Sequence, residues 1–162
     1  MLEIDGASQS GSGTIVRHAV ALAALLGRPL HVVNARAGRK RPGLAPQHLA
    51  AVKACADLCD AKTEGLALGA TEFTFLPARP PRGGEYAWDI GTAGSATMLA
   101  FSVLPLAAFA DRPFAARIAG GVFQDFAPSP HHLHHVLASL LRRMGLSFQL
   151  TVVRPGYVPR GA

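Results

Sequence analysis

The feature that most restricts the fold of this chain is a recurrence. Arg28-Pro29 returns as Arg112-Pro113, and Leu49 and Val52 return as Leu133 and Val136, each at a spacing of 84 residues (112 − 28, 133 − 49, 136 − 52). The elements between these markers also recur. An apolar run leads into a small-residue loop, the loop into an apolar helical pattern, and a second strand and helix follow. Matching spacings combined with matching element order point to a duplicated unit. Helices alternating with strands make each unit an α/β layer, two helices on one sheet face, which leaves the other face to be covered.

In the first half, Leu2 to Asp5 alternates as a short strand does, and a loop of small residues runs from Gly6 to Gly13. Thr14 to Leu26 carries Ile15, Ala19, Leu22 and Leu26 at helical spacing, with Gly27 placed to end the helix. Leu30 to Val33 reads as a strand, and Pro46 suits the first turn of a helix whose stripe is Leu49, Val52, Ala56 and Cys59. Ala61 to Leu68 and Thr71 to Leu76 read as two strands about a Gly69-Ala70 turn. In the second half the strand is Tyr86 to Ile90, the small-residue loop Gly91 to Ser95, and the helix Ala96 to Ala110, with Pro105 inside it. Phe114 to Ile118 reads as a strand, Pro130 to Met144 as a helix, and Leu146 to Val153 as a closing strand. The expected division is therefore a first β-α-β-α-β-β repeat over 1–77, a linker at 78–84, a second repeat over 85–154 and a tail at 155–162, with two helices on a four-stranded sheet in each repeat.

Between the strand ending at Val33 and the helix beginning at Pro46 lies the most unusual loop. It holds Arg36, Arg39, Lys40 and Arg41, four cations within six residues. Arginine's planar fork grips two phosphate oxygens at once, so such a loop suits phosphate; it reads equally as a solvated turn. The loop entering the first helix exposes backbone N–H groups and can also accept an anion, although it lacks the Gly-Lys-Ser/Thr ending of a phosphate loop. The net charge of +6 favours an anionic partner such as nucleic acid or nucleotide phosphate. Hydrophobic residues make up 49%, enough for a packed core. Cys55 and Cys59 lie four apart on one helical pattern, where a disulfide is geometrically poor. With no signal peptide and no membrane span in view, the expected location is the reducing cytoplasm. His131 and His135 have a spacing that allows two ligands to one metal, but a polar helix face reads more simply.

These stretches together resemble the RNA 3′-terminal phosphate cyclases. The resemblance is carried by Ile4-Asp5-Gly6 with the loop after it and Arg17; by the run from Arg36-Ala37-Gly38-Arg39-Lys40 to Pro46-Gln47-His48-Leu49; by Asp89-Ile90-Gly91-Thr92-Ala93-Gly94-Ser95-Ala96-Thr97; by Gly120-Gly121 with Ala127-Pro128-Ser129; and by Leu140 to Gly145. It implies a repeated α/β fold similar to that of the enolpyruvyl transferases. It also implies a reaction: ATP and a divalent metal serve to convert an RNA 3′-phosphate into a 2′,3′-cyclic phosphate through a histidine adenylate. By the same resemblance, Arg17, Arg36, Arg39, Lys40, Gln47 and Gln124 would be the nucleotide and phosphate contacts.

The sequence also departs from the family pattern. Ser10 stands where a glutamate is usual, Thr14 and Phe101 where glutamines are usual, and Val122 and Gln124 where the family has threonine and asparagine. No residue matches the nucleophilic histidine, which the family carries in a third repeat, and the family's small inserted domain has no counterpart. The expectation is a cyclase homologue that binds ATP and an RNA 3′ end without forming an adenylate by itself, completed by a missing C-terminal portion or a homodimer. The alternative is a non-catalytic RNA-binding or assembly module, as in the cyclase-like proteins of eukaryotic ribosome assembly.

Overall fold

The computed structural model describes residues 1–161 of the 162. It is a mixed α/β structure with three long helices between two sheets. The first sheet has the order β1-β2-β4-β3. Its strands are β1 (Leu2–Asp5), β2 (Leu30–Val33), β3 (Lys62–Glu64) and β4 (Phe73–Leu76). β1 and β2 run parallel, and β4 lies antiparallel to both β2 and β3. One face buries Leu30, Val32, Phe73 and Phe75 beneath α1 (Gly13–Leu26) and α2 (Pro46–Cys59). α1 contributes Val16, Val20 and Ala24, and α2 contributes Val52, Cys55 and Leu58, a stripe at helical spacing from each. Gly27, at φ 60°, ends α1 by donating its N–H back to Ala23 and Ala24. On the opposite sheet face His31 bridges Glu3 (3.3 Å) and Glu72 (2.8 Å), and these two carboxylates raise its pKa.

The second half begins with β5 (Gly84–Asp89), continues through α3 (Ala96–Ala108), and reaches β6 (Phe114–Ala119). α3 packs against both α1 and α2, burying Leu99, Val103 and Leu106 in the common core. β5 and β6 pair in parallel as a two-stranded sheet. Tyr86, Trp88 and Phe114 stack along its inner face, with centroids 5.3 Å and 5.6 Å from Tyr86, and Trp88 donates its indole N–H to Asp57 of α2 (2.8 Å). Tyr86, Trp88 and Phe114 pack partly buried against the core, and Phe73 lies inside it, the usual place of strand aromatics.

The chain then turns helical through α4 (Pro130–His132), a π-helical segment (Leu133–Leu137) and α5 (Ala138–Arg143). The expected closing strand at 146–153 is not formed. Leu146, Phe148 and Leu150 are half-buried while Ser147, Gln149 and Thr151 are exposed, the alternation of a strand, but the segment has no ladder partner among the described residues. The second sheet thus has two strands where four were expected. Alternation decides which side chains face inward; it does not supply a neighbouring backbone. Strands β3 and β4 are also shorter than the expected 61–68 and 71–76, because the stretch around Leu66 to Ala70 is a loop held to Leu44 by two backbone hydrogen bonds. Among the described residues no helix is long and apolar enough to cross a membrane.

Candidate nucleotide-phosphate site

The small-residue loop before α1 and the basic loop after β2 touch backbone to backbone. Gly38 donates its N–H to the carbonyl of Gly11 (3.2 Å), and a Cβ on Gly38 would stand 2.9 Å from the Ser10 carbonyl oxygen. Only glycine permits this approach. The contact fixes the cations of one loop over the start of α1. Ser12 caps that helix through its hydroxyl (Thr14 N–H, 3.4 Å), and Ser10 donates to Ser12 (2.9 Å).

One turn into α1, Gly13 and Arg17 share a face, as residues four apart do. His48, at the start of α2, presses its ring against Gly13, where any Cβ would overlap the imidazole Nε2 and Cδ2. His48 is 4% exposed and Arg17 7%, and both keep a buried nitrogen with no hydrogen-bond partner: Nδ1 of His48 and Nη1 of Arg17. Burial pulls the Arg17 pKa down to about 10, helped by the charge of Arg36. Burial also holds His48 neutral, with its pKa near 3, and the charges of Arg17, Arg36 and Arg39 push the same way. Among the described residues, no ion pair includes Arg17, Arg36 or Arg39. A buried guanidinium with an unused N–H, and Arg36 close enough to lower its pKa further, make a site short of negative charge.

The residues singled out from sequence divide in three. Arg17, Arg36 and Arg39 gather around His48. Arg36, held at φ 58°, also turns its guanidinium onto its own loop, donating to the carbonyls of Arg41 (3.1 Å) and Gly43, while burial and Arg39 lower its pKa. Lys40 is exposed on the same loop. Gln47 and Gln124 meet instead at the second small-residue loop. There Gln47 accepts the Ser95 N–H (2.8 Å), and the Gln124 carboxamide, with its NH2 toward the Ala93 carbonyl, approaches the same Ser95 N–H (3.1 Å). Ser95 caps α3 by accepting from Met98 N–H (3.1 Å). The two clusters join through the adjacent residues Gln47 and His48. In the sequence His48 stands only as part of the Pro46-Gln47-His48-Leu49 run, and nothing there singles out Gly13. The only available signal was the position of His48 beside Gln47, since its partner lies 35 residues away (48 − 13).

A model of the RNA 3′-terminal phosphate cyclase family matches residues 8–162. The chain belongs to the RNA 3′-terminal phosphate cyclase family. It is 46% identical, over 99% of its length, to the RNA 3′-terminal phosphate cyclase of Hyperthermus butylicus, covering 45% of that protein. The match to the cyclase of Methanopyrus kandleri is also 46% identical and covers 46% of it. The cyclase of Nitrosospira multiformis is 45% identical, again with 45% covered. The chain therefore spans about half the length of the curated cyclases it matches.

The residues present fit the two groups associated with such cyclases unequally. Triphosphate oxygens suit a cation cluster whose buried N–H has no partner. A protein-held divalent metal does not suit it: among the described residues no three carboxylate, histidine or cysteine side chains converge, and the loops offer cations.

Proposed function

We propose that this chain supplies the phosphate-gripping part of an ATP-dependent RNA 3′-phosphate cyclase. The supporting observation is Arg17, buried without a counter-ion and with one N–H unmatched, beside Arg36, Arg39 and His48. An anion there would relieve the repulsion among the cations, satisfy Arg17, and let His48 take a proton. Backbone N–H groups at the start of α1 add donors of the right polarity. In the full reaction, phosphate held in this way would direct the ATP α-phosphate toward a nucleophile, which would displace pyrophosphate and then pass the adenylyl group to the RNA 3′-phosphate. The neighbouring 2′-OH would then close the ring and release AMP. Nothing in this chain matches the family's histidine nucleophile, so its own part is to bind and orient. Lys40, exposed on the same basic loop, suits the outer phosphates, and the NH2 of Gln47 suits the nucleotide on the α3 side.

We also read the chain as two copies of one unit, over 1–77 and 85–154. β2 and β6 begin at Leu30 and Phe114, and α2 and α4 at Pro46 and Pro130, both pairs 84 apart.

Titration with a fluorescent ATP analogue tests the binding role. Saturable binding that competes with pyrophosphate and is lost in Arg17→Met supports it; failure of the folded chain to bind any triphosphate overturns it. Labelled ATP with magnesium should leave no adenylate on this chain, and an adenylate formed here would show a nucleophile within these residues. A second reading, a non-catalytic RNA-binding module, draws on Phe101. Its ring is 36% exposed, faces His18 at 6.4 Å, and offers no polar group where the family pattern has one. RNA binding without ATP binding would favour that reading.

A further inference from the structure

We propose that the loop after β6 and the tail segment beside it form a stacking platform for unpaired bases of single-stranded RNA, apart from the phosphate site. Phe123 and Tyr157 stack at 5.7 Å and 21°. His131 is tilted 37° against Phe123 at 5.6 Å, and His135 stacks with His131 at 6.4 Å and 14°. Four rings thus form a continuous row. The row is held by backbone: Val122 and Phe123 both donate their N–H to the Gly156 carbonyl (2.9 and 3.3 Å). The π-helical segment at Leu133–Leu137 widens the turn between the two imidazoles, and such bulges recur at functional sites.

This row is more open to solvent than the strand aromatics. Tyr157 is 59% exposed, and His131 and His135 are exposed. Phe126, on the same loop, is wholly exposed and held at φ 61°, a conformation that costs a phenylalanine energy. Charge is segregated here too. After Asp125 the sequence contains no carboxylate side chain, but it has four arginines and four histidines, among them Arg154 and Arg160 flanking Tyr157. Exposed rings beside a basic tail, with Asp125 the one carboxylate on the loop, offer a single strand faces for its bases and cations for its backbone. A duplex keeps its base faces covered and gains only the second. The platform adjoins the α3 corner, because Gly121 pairs with Ser95 and Gln124 reaches the same residue. It is therefore placed to hold nucleotides just behind a 3′ end, and to that extent it rests on the proposed function.

The test uses the full chain and a short 5′-labelled RNA ending in either 3′-OH or 3′-phosphate, read by fluorescence anisotropy. Single-stranded RNA should bind more tightly than its duplex, whichever end it carries. Tyr157→Leu, which keeps apolar bulk without a ring face, should weaken single-strand binding about tenfold for both ends and leave ATP binding unchanged. Tyr157→Trp should restore it. His131→Ala lies on an exposed helix face, so it tests the row without threatening the fold; it should cost about threefold. Unchanged RNA affinity in Tyr157→Leu and His131→Ala, or equal affinity for the duplex, would overturn the platform. Arg17→Met separates the two ideas, because it should weaken ATP binding and leave the affinity for both RNAs unchanged. If ATP binding survives Arg17→Met while Tyr157→Leu still weakens both RNAs, the phosphate reading falls and the platform stands.

Discussion

The two small-residue loops are built alike and surrounded differently. Each ends in a serine that caps the following helix, Ser12 for α1 and Ser95 for α3, and neither helix has an acidic residue in its first turn. The first loop faces buried Arg17, neutral His48 and the cations of the basic loop. The second faces two neutral carboxamides, Gln47 and Gln124. The opening residues reflect this: α1 starts with Gly13, where the imidazole takes the space of a side chain, and α3 starts with Ala96, where no ring intrudes. One local construction therefore yields an electrostatically strained cluster in one setting and a quiet structural joint in the other. Neighbours, not the loop itself, decide which.

The largest effect expected from this contrast is on acid stability. His48 has a folded pKa near 3 against 6.5 unfolded. Between those values the unfolded chain takes a proton that the folded chain refuses. Stability present above pH 6.5 is therefore lost as pH falls toward 3, on the order of 5 kcal/mol in all. Urea unfolding across that range should show the loss in the parent chain and a flatter profile in His48→Gln. Pyrophosphate should blunt it, whereas Gln124→Ala should leave the slope alone.

Next in size is Arg17→Met. Removing the unmatched guanidinium should weaken triphosphate binding by about 3 kcal/mol, roughly a hundredfold, while stabilising the unliganded chain by about 1–3 kcal/mol. Calorimetric titration together with thermal melts reads both, and a fall in stability on this substitution would show that Arg17 is paired in solution.

Gly13→Ala should cost about 2 kcal/mol, because its methyl group must displace the His48 ring. The reciprocal Ala96→Gly should cost only about 1 kcal/mol, the conformational penalty of glycine in a helix. Equal losses in chemical denaturation would erase the distinction between the two helix starts. The smallest effect belongs to the glutamines. Either one alone can serve the Ser95 N–H, so Gln47→Ala and Gln124→Ala should each shift stability little, and the pair should lose about 1 kcal/mol more than their sum. A double-mutant cycle measures that coupling directly.

Much of the layout was legible because glycine and proline punctuate it. Gly27 ends α1, Pro46 opens α2, and Ser95 and Pro130 mark later starts, all through local backbone preferences. The closing strand at 146–153 was misread because its alternation is local and its ladder is not. The site was half legible. The density of arginines marked the basic loop, but nothing near Gly13 in sequence announces the imidazole that lies on it. Likewise the commitment of Gln47 to Ser95, 48 residues away, depends on how α2 and α3 pack.

Trp88 is the chain's one tryptophan, and its indole is tied to Asp57 across the seam between β5 and α2. The molecule therefore contains a native optical gauge of whether its two halves remain docked. Emission that shifts to the red before circular dichroism changes would record the seam opening ahead of the helices melting, with no label attached.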